Sequence, residues 1–126
     1  MPDPANLSSL IEAELQHITD VRAVAAIRAR LIGAVQVMLD WDYGAPGQQF
    51  PGWVVFRDPP THTEIVFCAE GFGPSRPWGL IGPEGDQRPM GMDSGWFQSF
   101  TDAWLDSWVA ADLERNVTLG HGRADA

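Results

Sequence analysis

The sequence predicts an α+β fold in which helices cover a small antiparallel sheet. Apolar residues recur at helical spacing near both ends of the chain, and short runs of β-branched and aromatic residues lie between them. From residue 71 to 95 there are seven glycines and four prolines, which excludes a long helix from that stretch. With 126 residues, the chain is expected to form a single domain over residues 1–126.

The first predicted element is a helical segment from about residue 8 to 40. Its start fits a capping box, in which the side chains of Ser9 and Glu12 bond to each other's backbone amides. Thr19 and Asp20 can cap a second helix or interrupt a single one, so the pattern fits one long helix or two in succession. The apolar positions at helical spacing are Leu10, Ile11, Leu15, Ile18, Val21, Val24, Ile27, Leu31, Val35, Met38 and Leu39.

The predicted strands follow a turn at residues 43–47, where glycine and proline end the helical segment. Two strands are predicted at about 53–57 and 63–69, because these runs are rich in valine, isoleucine and aromatic residues. Residues 58–61 contain two prolines and connect the two runs as an antiparallel hairpin. A third strand is predicted at about 78–81, which gives a sheet of two to three strands.

The last predicted element is a helix from about residue 94 to 114, with Asp93 or Ser94 as its N-cap. Its apolar stripe comprises Phe97, Phe100, Trp104, Trp108 and Ala111. We expect residues 1–7 and 116–126 to be flexible, because they lie outside every predicted element at the two ends of the chain.

Composition and charge exclude several classes of protein. The formal net charge of −9 repels phosphate backbones, so we expect no direct binding of nucleic acid. No apolar run approaches the roughly 20 residues that cross a bilayer, and the first residues lack the features of a signal peptide. We therefore expect a cytoplasmic protein without membrane contact. Cys68 is the only cysteine, so no intrachain disulfide can form.

Metal-binding and catalytic residue patterns are missing from the sequence. His17, His62 and His121 are far apart and Cys68 is isolated, so the spacing of a zinc site is not found. His62 and Cys68 share one face of the predicted strand but lie about 20 Å apart at roughly 3.3 Å per residue. We expect no metal, no cofactor and no catalytic group that spacing alone can identify.

The six tryptophans are many for a chain of this size. Trp41 and Trp78 belong to no regular apolar face, so we expect them at a contact surface. Trp78 follows Arg76 and a proline, and tryptophan and arginine are the residue types that dominate binding hot spots.

Unbalanced negative charge is the second feature of the predicted surface. Asp102 and Asp106 are four residues apart on the last helix, a like-charge spacing that destabilises a helix and indicates a cationic partner. Glu84 and Asp86 add further carboxylates in the loop-rich region. The predicted binding residues are therefore Trp41, Arg76, Trp78, Glu84, Asp86, Asp102 and Asp106.

These features favour an acidic protein-binding module that engages a basic protein, in the manner of inhibitors or immunity proteins that neutralise basic toxins. One alternative is a small enzyme or ligand-binding protein whose pocket lies between the 71–95 loop and the sheet. Its polar groups would be His62, Glu70 or Asp93, and its walls would be Trp53, Trp78 and Trp96. Another is a homodimer through the last helix, whose apolar stripe is widened by Leu105 and Val109.

Overall fold

A computed structural model describes residues 4–114. Five strands form one antiparallel sheet in which neighbours along the chain are neighbours in space, in the order β1-β2-β3-β4-β5. The elements are α1 (Pro4–Leu15), α2 (Val21–Arg28), β1 (Leu31–Asp40), β2 (Gln49–Asp58), β3 (Thr63–Phe67), β4 (Trp78–Ile81), β5 (Trp96–Phe97), α3 (Phe100–Leu105) and a last helical segment, α4, at 108–114. None of the helices in the described part of the chain has the length and hydrophobicity that crossing a bilayer requires.

The α+β class, the antiparallel sheet and an N-terminal helix are confirmed. The predicted hairpin is present as β2 and β3, joined by a short 3-10 helix at Pro59–Thr61. The third predicted strand, β4, has the predicted bounds. The sheet is larger than predicted, because β1 and β5 extend it from three strands to five.

Residues 31–40 were wrongly predicted as helix, because they form β1. Leu31, Val35 and Met38 do have helical spacing, but the segment contains three β-branched residues, which favour a strand, and Gly33, which disfavours a helix. β1 lies at the edge of the sheet, and only Leu39 is fully buried in it. Apolar and polar residues alternate only weakly in this edge strand. The helical spacing was therefore the clearer signal in the sequence.

The remaining part of the N-terminal segment forms two helices. Asp20 is the N-cap of α2, where its carboxylate accepts the backbone amide of Arg22 at 2.9 Å. Residues 4–7, which we expected to be flexible, already belong to α1, and Leu7 is fully buried. Residues 1–3 and 116–126 of the expected flexible ends lie outside the described residues.

The single helix predicted at 94–114 is also corrected. Asp93–Gly95 is a 3-10 helix, and α3 begins only after Ser99, whose hydroxyl accepts the amide of Asp102 at 3.0 Å. The helix is then interrupted at Ser107. Its hydroxyl donates to the carbonyl of Trp104 at 2.6 Å and accepts the amide of Ala110 at 3.3 Å. Ser107 thus ends one helical segment and begins the next.

The sheet carries apolar cores on both faces. A bulge in β2 shifts the register between Val54 and Phe56, so that Val55 and Phe56 both join the core under the helices. The buried residues of this helix-side core are Leu7, Ile11, Leu15, Ala23, Ile27, Val55, Phe56, Ile65, Trp78, Phe100, Ala103, Trp104, Val109 and Ala110. The second core contains Leu39, Val54, Val66, Cys68, Ile81, Met90 and Trp96. It includes Met90 from the segment that connects β4 and β5.

Candidate functional site

The predicted binding residues lie at different ends of the sheet. Trp41 follows β1 and Arg76 precedes β4, and the β1–β2 and β3–β4 connections share one end because the strands are antiparallel. Asp106 lines a cleft with His62, which belongs to the β2–β3 connection at the opposite end. The structure therefore does not bring the predicted residues together into one surface.

Trp78 does not lie at a surface, and the sequence-based expectation for it is corrected. Only 4% of the residue is exposed. Its ring packs edge-on against Phe67 at 4.9 Å and against Phe100 at 5.7 Å between ring centroids. Because β4 lies between β3 and β5, its first residue is enclosed by neighbouring strands on both sides, and the indole fills the helix-side core.

Trp41 is partly buried within an aromatic cluster. Its ring contacts Tyr43, Phe50 and Phe72 at centroid distances of 5.1, 5.5 and 5.1 Å. Tyr43 is the exposed member of this cluster, and it is not among the binding residues predicted from the sequence. Trp41 therefore packs mainly against other rings of this chain.

Arg76, Glu84 and Asp86 are all exposed. Glu84 begins a tight turn in which its backbone exchanges hydrogen bonds with Gln87 at 2.8 and 2.9 Å. Gly85 supplies the positive φ of 61° that this turn needs. These two carboxylates thus lie on a small turn of their own.

Most arginines in the described part of the chain are paired with carboxylates of the same chain. Of the six arginines among residues 4–114, only Arg76 takes part in no ion pair. The other five form the pairs Arg22–Asp20, Arg28–Glu12, Arg30–Asp58, Arg57–Glu64 and Arg88–Glu64. Since these cations are matched by carboxylates inside the chain, carboxylates dominate the charge that remains for a partner.

The junction of α3 and α4 exposes two large apolar side chains. Leu105 is 60% exposed and Trp108 is 64% exposed. Asp102 and Asp106 are exposed beside them, and within residues 4–114 neither carboxylate has an ion-pair partner. We call these four residues the α3–α4 surface.

The break at Ser107 explains why Trp108 faces outward. A continuous helix would place Trp108 on the same buried stripe as Trp104, four residues earlier. Because the chain changes direction at Ser107, Val109 and Ala110 take the buried positions instead. A serine inside an apolar helical stripe, immediately after an aspartate, is the sequence feature that indicates such a break.

A cleft of about 270 Å³ adjoins the α3–α4 surface. His62 lies on its rim with a positive φ of 52°, where it ends the 3-10 helix at Pro59–Thr61. The hydroxyl of Thr61 donates to the carboxylate of Asp58 at 2.6 Å, which holds this turn in place. The cleft is lined by Thr61, His62, Thr63, Leu80, Ile81, Gly82, Asp106, Ser107 and Trp108.

The structure separates the groups named for the alternative pocket. Trp78 belongs to the helix-side core and Trp96 to the second core, so the sheet lies between them. Trp96 donates its indole N–H to the carbonyl of Met90 at 2.8 Å. Cys68 is buried, and this burial raises the pKa of its thiol, which disfavours the thiolate. No group of three or more potential metal ligands occurs in the described ranges.

Comparisons of the chain with protein-family models, with curated proteins and with solved structures give no match.

Proposed function

We propose that this chain is an acidic module that binds a basic protein through the α3–α4 surface. The observation that carries the proposal is the exposure of Leu105 and Trp108 in the same short stretch of chain as the exposed carboxylates of Asp102 and Asp106. Contiguous exposed apolar patches that polar residues surround are typical of interaction sites. Tryptophan is among the residues that contribute most to binding energy when a partner removes it from water.

Charge favours a basic partner over a second copy of this chain. A symmetric pairing of two α3–α4 surfaces would bring the carboxylates of both copies close together, and like charges at an interface oppose association. A partner rich in arginine or lysine turns the same carboxylates into favourable contacts. The net charge of −9 would also speed the encounter with such a partner at low salt.

The finer proposal is an inhibitor of the immunity type, in which this chain covers the functional surface of a basic toxin within the cytoplasm. What supports it is the acidity of the chain and the pairing of five of the six arginines in residues 4–114 with carboxylates of the same chain. A binder of this type needs only a complementary surface, and catalytic residues are not required of it.

The test is capture from an extract of the native host at low salt, followed by affinity measurements with the purified partner. Leu105→Ala and Trp108→Ala should each weaken binding about 30-fold if they are hot spots. Val35→Ala and Met38→Ala are matched controls, because both side chains are apolar and exposed on β1, at the opposite edge of the sheet from β4 and β5, which contact α3. The controls should change the affinity less than about twofold.

A basic partner whose affinity falls as salt rises would support the proposal. The proposal is wrong if no protein is retained, if the retained partner is acidic, or if Trp108→Ala binds as tightly as the unmodified chain. Light scattering on the isolated chain tests the dimer alternative, since a dimer that Trp108→Ala dissociates would assign the α3–α4 surface to self-association.

A further inference from the structure

We propose that the cleft beside the α3–α4 surface receives an arginine side chain of the partner. This inference rests on the proposed function and specifies what the surface recognises. It concerns a separate feature, the cleft between the β2–β3 turn and the α3–α4 junction. This cleft lies at the end of the sheet opposite Trp41.

The lining of the cleft matches the parts of an arginine side chain. Leu80 and Ile81 provide apolar surface for the three methylene groups. Trp108 adds an exposed indole, and the face of an indole attracts a guanidinium group more strongly than any other aromatic ring does. Asp106 supplies a carboxylate, which can accept two parallel hydrogen bonds from a guanidinium group.

Among residues 4–114, no arginine or lysine of the protein itself lines this cleft beside Asp106. Asp106 has no ion pair within the described ranges, in contrast to Asp58 and Glu64, which already bind arginines of this chain. A free carboxylate beside an exposed tryptophan therefore leaves the charge requirement of the cleft to be met by a partner.

Hydrogen bonds within the protein hold the two chain segments that form the cleft. The β2–β3 turn is held by the hydrogen bonds of Thr61 to Asp58 and to the hydroxyl of Thr63, at 2.6 and 2.9 Å. The α3–α4 junction is held by the two hydrogen bonds of Ser107. Binding would thus need little ordering of the protein, which lowers its entropic cost.

The experiment uses an acetylated and amidated Gly-Arg-Gly peptide as the probe, with citrulline and lysine in place of arginine as controls. Binding is followed by the NMR shift of the Trp108 indole N–H. We expect the arginine peptide to bind about tenfold more tightly than the neutral citrulline peptide, and more tightly than the lysine peptide, because only the guanidinium group both stacks and forms paired hydrogen bonds.

Asp106→Asn and Asp102→Asn form a matched pair of variants. Both remove one negative charge from the same surface, but only Asp106 lines the cleft. We expect Asp106→Asn to weaken the arginine peptide about tenfold and Asp102→Asn by less than about twofold. Trp108→Phe should retain more binding than Trp108→Leu, because a phenyl ring still attracts a cation.

Equal losses in Asp102→Asn and Asp106→Asn would overturn the inference, because they would indicate only long-range attraction. Equal binding of the lysine and arginine peptides would overturn it as well. The two proposals fail separately. If a basic partner is captured but the arginine peptide does not shift the Trp108 indole signal, only the arginine site is disproved. If the peptide binds but no partner is captured, only the proposed function is disproved.

Discussion

The carboxylate of Glu14 in α1 accepts hydrogen bonds from both the backbone amide and the hydroxyl of Thr101, at 2.8 and 2.6 Å. It also accepts the amide of Phe100 at 3.1 Å. The first amides of a helix have no partner within the helix, so Glu14 acts as a cap for α3 from a distant part of the chain. This contact fixes α1 against the helix that carries Leu105.

Glu14→Gln should lower the free energy of unfolding by about 1–2 kcal/mol, because it removes the negative charge from hydrogen bonds at a helix N-terminus. Glu12→Gln is the matched control on the same helix, where the carboxylate forms an exposed ion pair with Arg28. Its loss should destabilise the protein much less than Glu14→Gln does, because water screens an exposed ion pair. Urea unfolding measures both values, and a control variant as destabilised as Glu14→Gln would contradict the cap.

The strands β2, β3 and β4 could be predicted because local composition determines them. They contain dense runs of β-branched and aromatic residues, and a proline-rich turn separates the first two. The class of the fold follows from these strands and the helical pattern before them. β1 was missed because it lies at the edge of the sheet. Its pairing with β2 makes it a strand, but its sequence shows little alternation of apolar and polar residues.

The candidate site was predicted only in part, for a related reason. Asp102 and Asp106 were found because their spacing along one helix is a local property. Trp108 was assigned to the buried stripe, since its exposure depends on the break that Ser107 introduces. The cleft requires contact between the β2–β3 turn and the α3–α4 junction, which are more than 40 residues apart in the chain, and spacing cannot predict such a contact.

Glu64 joins two arginines on the sheet face opposite the helices. Its side chain is 3% exposed and binds Arg88 at 2.8 Å and Arg57 at 2.9 Å. Arg88 belongs to the segment between β4 and β5, which also places Met90 in the second core. The ion pair of Glu64 with Arg88 therefore anchors this segment to β3.

Arg88→Gln should destabilise the protein by about 2–3 kcal/mol, because it leaves a buried carboxylate with one cation fewer and releases the segment around Met90. Arg57→Gln is the control at the same carboxylate. The side chain of Arg57 is 40% exposed, compared with 20% for Arg88, so its loss should cost less than about 1 kcal/mol. Urea unfolding gives both values, and the anchoring role is wrong if the two variants are equally destabilised.

Asp58 should make the stability of the protein depend on acid. Burial raises the pKa of its carboxyl group, but the hydrogen bonds from Thr61 and Arg30 outweigh burial and hold the pKa below the ordinary value of 3.8. A carboxyl group with a lowered pKa in the folded state binds protons more readily when the chain unfolds. Its contribution to stability is therefore present above the ordinary value and is lost as the pH falls below it.

We expect the free energy of unfolding of the unmodified protein to fall as the pH drops below about 4, and this fall to be smaller in Asp58→Asn, which cannot bind the proton. Thr61→Val should also make this fall in the free energy of unfolding smaller, because removing the hydroxyl donor lets the pKa of Asp58 rise toward its ordinary value. Glu12 and Asp20 also have lowered pKa values, so both variants should keep a residual slope. Urea unfolding at several values between about pH 3 and 7 measures these slopes. Identical slopes in all three proteins would show that Asp58 gains no stability from Thr61 and Arg30, and the acid dependence would then arise from the exposed carboxylates.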